Sequence, residues 1–134
     1  MSAEAAFAQA IIAHLKGDED VLLHLGPTGR IYDRAPSGAG FPFLALGRGE
    51  TQPLGSDDHD LLDHRLTVHV FGRRDDRDAI KRTLGAVRAA LHTSTLVLEA
   101  PYTCSLCRVV YSDMFTGPDA RTLHGVLRVR GLIN

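Results

Sequence analysis

Two stretches of the chain alternate apolar and polar residues with a period of two, and they limit the fold more tightly than any other feature. Over residues 64–71, Leu66, Val68 and Val70 fall on one face and Arg65, Thr67 and His69 on the other. Over residues 121–133, Leu123, Leu127, Val129 and Ile133 share one face, against Thr122, His124, Arg128 and Arg130. Strand side chains point alternately to the two sides, so each stretch predicts a strand buried on one side only. A sheet built on them needs cover over a single face.

Helical segments can supply that cover. Ser2 is placed to cap a first helix carrying Glu4 in its opening turn, with Phe7, Ile11 and Leu15 along one stripe until Gly17 stops it. Asp18 can cap a short second piece with Val21, Leu22 and Leu25 on its apolar side, ending at Gly26-Pro27. After Gly72-Arg73-Arg74, Asp75 or Asp76 can cap a longer helix whose buried stripe is Ile80, Leu84, Val87 and Leu91.

The remaining segments are β-prone or turn-like. Residues 30–33 are a short β-prone piece, residues 36–40 a turn, and residues 41–47 a strand with Pro42 at its start or edge, since proline donates no ladder bond. Residues 95–98 predict a short strand broken at Pro101, and residues 103–115 a longer one, joined to the last strand through Thr116-Gly117-Pro118-Asp119. Residues 48–63 hold glycines, a proline and no clear period, which predicts a long loop. The order predicts an α+β fold: one antiparallel or mixed sheet with two main helices packed on one face. At 134 residues, all of residues 1–134 form one domain.

Charge and composition narrow the function. Fifteen basic residues against 16 acidic ones give a formal charge of −1, which argues against a general grip on nucleic acid, and no recognition motif is present. No apolar run reaches the roughly 18 residues of a membrane span, and the first residues lack the pattern of a signal peptide. A soluble protein made in the cytosol is expected.

The chemical motifs are weak. Cys104 and Cys107 form a CxxC without the second ligand pair of a zinc site or the helix N-terminus of a redox centre, and in a regular strand their sulfurs diverge unless a bulge intervenes. Asp57, Asp58, His59, Asp60, Asp63 and His64 lack both the calcium-loop pattern and HExxH, so a solvated acidic loop is the simpler interpretation. No GxSxG, P-loop or GxGxxG occurs. His69 and His124 belong to exposed strand faces, and His14, His24 and His92 lie near helix ends. Arg73, Arg74 and Arg77 sit beside Asp75, Asp76 and Asp78, whose local pairing cancels them as a nucleic-acid patch, and no aromatic ladder accompanies them. The expectation is a protein without catalytic residues, metal or cofactor.

One charge asymmetry stands out. Between Arg48 and Arg65 lie five carboxylates, Glu50, Asp57, Asp58, Asp60 and Asp63, and no basic residue. Such a segment is either simple solubility or, arranged around a channel, a wall that repels DNA.

Three stretches together resemble the phage tail completion, or tail-terminator, proteins, which also occur in phage-like gene transfer agents. They are Arg30-Ile31-Tyr32-Asp33-Arg34-Ala35-Pro36 leading through Gly38 to Phe41-Pro42-Phe43; His64-Arg65-Leu66-Thr67-Val68-His69-Val70-Phe71; and Arg121-Thr122-Leu123-His124-Gly125-Val126-Leu127-Arg128-Val129-Arg130. With the leading helix they span nearly the whole chain, whereas the CxxC stands outside the pattern. The resemblance implies a non-enzymatic structural protein that forms a hexameric ring on the head-proximal end of a tail tube. It ends tube growth there and joins the head's connector.

Its implied partners are copies of itself, the tail tube protein and the connector (stopper) protein, with DNA passing through unbound and no membrane. The channel or tube contact then falls to Glu50, Asp57, Asp58, Asp60 and Asp63, and subunit-interface charges to Arg65, Arg73, Arg74, Arg128 and Arg130. Two alternatives are another connector ring, an adaptor or stopper, and, remotely, a small metal- or thiol-dependent enzyme using His59, His64, Cys104 and Cys107. A third, a nucleic-acid-binding regulator, is disfavoured by the charge.

Overall fold

The computed structural model describes residues 1–26, 29–55, 61–93 and 96–134. Its elements follow the chain as α1 (Ala3–Lys16), α2 (Glu19–Leu25), β1 (Ile31–Tyr32), β2 (Phe43–Pro53), β3 (Leu62–Arg73), α3 (Arg77–Leu91), β4 (Cys104–Thr116) and β5 (Thr122–Ile133). The strands make one sheet in the order β1-β2-β3-β5-β4. Only β1 and β2 run parallel. Among the described residues no helix is long and apolar enough to cross a membrane.

Local chemistry explains most of the boundaries. The Ser2 hydroxyl accepts from the Ala5 amide and the Asp18 carboxylate from the Val21 amide, capping α1 and α2 as expected. Asp76 occupies the cap position of α3 but makes no side-chain cap bond; an apolar stripe of Ile80, Leu84, Val87 and Leu91 holds this helix down instead. The His14 Nε2–H donates to the Ala90 carbonyl at 2.8 Å and ties α1 to the end of α3.

All three helices lie on the apolar side of the sheet, where Leu66, Val68, Val70, Leu123, Leu127, Val129 and Ile133 join Phe7, Ile11, Leu15 and Leu84 in one core. The helices approach so closely that side chains at two strand positions are excluded. A Cβ at Gly131 would overlap the Phe7 ring, and one at Gly125 would come within 2.8 Å of Leu84.

Two expectations are corrected, and the exception allowed for the cysteines is met. The long loop expected over residues 48–63 is largely a hairpin: β2 continues to Pro53 and β3 begins at Leu62, so the connection is confined to residues 54–61. The strand was disguised because a bulge between Leu46 and Gly49 breaks the period, and the core-facing positions beyond it are Gly49 and Thr51. The short strand expected over 95–98 pairs with nothing among the described residues. Thr95 lies outside them, and Leu96 and Leu98 are buried while Val97 points out, which reproduces strand alternation without a ladder. Finally, a bulge between Cys104 and Leu106 sets Cys104 opposite Ile133 and Cys107 opposite Gly131, both on the helix-covered side, so the two cysteines do not diverge.

Candidate assembly surface

Helices cover one side of the sheet and leave the other side bare. There the register builds two rows across the same four strands. The first runs Glu50, Arg65, Arg130, Arg108 through β2, β3, β5 and β4. Three arginines directly abreast would repel one another. Asp63, one residue pair further along β3, resolves this: its carboxylate accepts from Arg130 Nε at 3.0 Å and Nη2 at 3.2 Å, with Arg65 at 3.8 Å. Such a bidentate fork is the strongest ion-pair geometry available to these side chains. Glu50 likewise meets Arg48 at 3.0 Å and Arg128 at 3.3 Å. A hollow of about 210 Å³ among Glu50, Gln52, Asp63, Arg65 and Arg128 remains, and the buried Nε of Arg128 finds no hydrogen-bond partner among the described residues.

The second row runs Phe43, Phe71, His124, Phe115 through the same strands. Its rings stack at centroid distances of 4.9 Å for Phe43 and Phe71 and 4.4 Å for Phe71 and His124, with Phe115 tilted at 4.8 Å from His124. His69 joins from below, its Nδ1 2.7 Å from Nε2 of His124, so one ring donates and the other accepts. Burial lowers the pKa of both imidazoles, and for His124 the charge of His69 lowers it further. Phe41 extends the row outward by stacking on Phe43 at 5.7 Å. This row was not expected; its members lie on four separate segments, and only the outward parity of Phe71, His124 and Phe43 could have announced it.

The proposed site residues therefore divide. Glu50 and Asp63 stand in paired strands as ion-pair partners of arginines, whereas Asp57, Asp58 and Asp60, with His59, lie outside the described residues. Arg65 and Arg130 stand in the charged row, and Arg128 lies beside it, opposite Thr67. Arg73 and Arg74 lie elsewhere, in an open groove of about 780 Å³ with Phe41, Asp75, Asp119, Ala120, Arg121 and Thr122. The expected cancellation of Arg73, Arg74 and Arg77 by Asp75, Asp76 and Asp78 does not take the form of ion pairs: none joins them among the described residues, although Asp75 lines the groove with Arg73 and Arg74.

His64 faces the core, its Nδ1 2.8 Å from the Thr51 hydroxyl and its ring edge-on to Phe7, and burial lowers its pKa. Burial also raises the Cys104 thiol and pushes Cys107 up to about 12, which keeps both protonated. Among the described residues no three His, Cys, Asp or Glu side chains are grouped to hold a metal.

The family described as "Tail completion protein gp17" matches residues 9–134. The chain belongs to this family. Membership gives it a structural role in the tail of a phage or phage-like particle. A chain in the virion of a native gene transfer agent particle superposes with a TM-score of 0.88 at 18% identity, over 98% of this chain and 97% of that one. The gp17 protein of bacteriophage SPP1 gives 0.55 at 19% identity, over 98% and 91%. Curated proteins provide no match. At these identities the two structures share a fold with this chain.

Proposed function

We propose that this member of the tail completion family forms a hexameric ring at the head-proximal end of a tail tube, where it ends tube polymerisation and offers the surface that joins the head's connector. The observation that carries this reading is the family match over residues 9–134, supported by whole-chain likeness to a component of a gene transfer agent virion. The bare sheet face supports it physically: a domain with a complete core on one side and ordered arginine and aromatic rows on the other has the residue types that dominate protein interfaces. A ring requires heterologous contacts, in which one patch meets a different patch on the next copy.

Asp57, Asp58 and Asp60 supply a non-adhesive lining or a contact with the adjoining tube ring in this reading. Glu50 and Asp63 serve the arginines beside them. Arg65, Arg128 and Arg130 contribute to contacts with a neighbour through the bare face they share.

The test is native mass spectrometry across a concentration series, with electron microscopy of the same samples, with and without tube protein. A hexamer with a central hole is the expected result. A stable two-fold dimer would overturn the proposal, because an isologous contact closes on itself.

A further inference from the structure

The groove around Arg73 is built with more rigidity than a surface loop needs. Asp119 accepts from the Arg121 and Thr122 amides at 3.0 Å each and from the Thr122 hydroxyl at 2.8 Å, and these bonds hold its carboxyl below the usual carboxylate range. The same turn holds Ala120 at a φ of 58°, a left-handed conformation that alanine seldom adopts. The Arg74 amide donates to the Arg121 carbonyl at 3.0 Å, joining the end of β3 to the start of β5. On the opposite wall Arg30 Nη1 donates to the Phe41 carbonyl and fixes the backbone carrying that ring.

Against this frame the cations have little to hold them: Arg74 Nη1 reaches the Ala120 carbonyl only at 3.4 Å. Among the described residues no carboxylate lies within ion-pair distance of Arg73, Arg74 or Arg121, and Arg121 feels Asp119 only at longer range. Phe41 stays 37% exposed beside them. The groove thus presents guanidiniums around an open aromatic ring. Two acids also line it, which fits a protein segment with a few carboxylates better than a continuous polyanion.

The chain carries the complementary chemistry elsewhere. On α2, Val21 and Leu25 are buried, so Glu19, Asp20 and Leu23 face outward, and Leu23 is 76% exposed. Asp18 is committed to its cap, while Glu19 and Asp20 form no ion pair among the described residues. Glu19 and Asp20 lie four and three residues before Leu23, so two carboxylates flank one apolar side chain on a single helical face. The groove and this face share no residue, so both can be filled at once.

We propose that α2 of one copy docks in the Phe41–Arg73–Arg74–Arg121 groove of the next, Leu23 against Phe41 and Glu19 and Asp20 against the guanidiniums, as the heterologous contact that closes the ring. This contact rests on the hexameric ring proposed above. A patch meeting a different patch propagates around a ring, and charged complements of this kind set partner choice and register.

The test reverses the charges separately. Arg73→Glu with Arg121→Glu makes both patches net acidic, with Arg74 the guanidinium kept, and Glu19→Lys with Asp20→Lys makes both net basic. Each variant alone should raise the concentration needed for assembly at least about a hundredfold, because like charges then face each other. Mixed one to one, the two should assemble again, since every junction in an alternating ring regains opposite charges. Rings formed by either variant alone, or none formed by the mixture of folded variants, would overturn the contact while leaving the ring intact as a reading.

If the α2 variant does not fold, Leu23→Cys with Phe41→Cys in an otherwise unchanged chain decides. Oxidation should give a covalent ladder up to six copies that neither single variant gives; its absence would overturn the contact. Loss of duplex DNA binding by the groove variant with rings preserved would reassign the groove to DNA. A wild type that forms no ring even with tube protein would bring down the ring and the contact together.

Discussion

The two rows on the bare face of the sheet occupy the same four strands, six residues apart along β3, yet they solve different physical problems. The charged row sets Arg65, Arg130 and Arg108 abreast by register, and one nearly buried carboxylate, Asp63, meets the first two, while Arg108 has no ion pair among the described residues. The aromatic row has no charge to neutralise and gains from ring stacking between Phe43, Phe71 and His124. The first depends on a single residue, whereas the second is spread over several contacts. Charge placed in register makes a row fragile to one substitution, and dispersion makes it tolerant.

The sharpest way to break that contrast is Asp63→Ala. It leaves the Arg130 guanidinium, whose side chain is 23% exposed, with no fork partner and two arginines beside it. A loss of about 3 kcal/mol in urea unfolding is expected. Arg65→Ala removes only the 3.8 Å contact of a side chain that is 46% exposed, so its cost should stay within about 0.5 kcal/mol. Equal losses from the two would show that Asp63 does not organise the row.

Phe71→Ala tests the other row. The ring sits between Phe43 and His124 and is half-buried, so truncation should cost about 2 kcal/mol. Salt separates the mechanisms: about 1 M salt should shrink the Asp63→Ala loss and leave the Phe71→Ala loss unchanged. A Phe71→Ala loss that faded with salt would mean the aromatic row is held by charge after all.

How these rows could be foreseen differed just as much. The alternation of Leu66, Val68 and Val70, and of Leu123, Leu127, Val129 and Ile133, announced β3 and β5 because apolar burial writes a period of two into the sequence. Helices α1 and α3 were equally visible from Phe7, Ile11 and Leu15 and from Ile80, Leu84, Val87 and Leu91. The far half of β2 was hidden because its core side is Gly49 and Thr51, which serve His64 rather than an apolar layer. The rows were hidden for another reason. Glu50 and Arg128, or Phe71 and His124, are far apart in sequence and meet only through register, and a single chain read locally carries no signal of strand order. Asp63 therefore looked like one of five loop acids when its partner was Arg130 on another strand.

The pH response of the His69 and His124 pair is the smallest of the expected effects, since both rings keep some contact with water. Burial lowers both imidazoles below their ordinary value of 6.5. As pH falls through 6.5 the unfolded chain takes up protons first, so stability is fully present above that value and declines beneath it, levelling once the folded rings are also protonated. His64, lowered in the same direction, adds to the slope. Replacing both His69 and His124 by Gln should make the decline between pH 6.5 and about pH 5 shallower without abolishing it, read by thermal unfolding at stepped pH. Arg65→Ala in the charged row should leave that slope as it is, because it removes no histidine. A slope unchanged by the double substitution would place the whole response on His64 in the core, and the aromatic row would then be indifferent to pH as well as to salt.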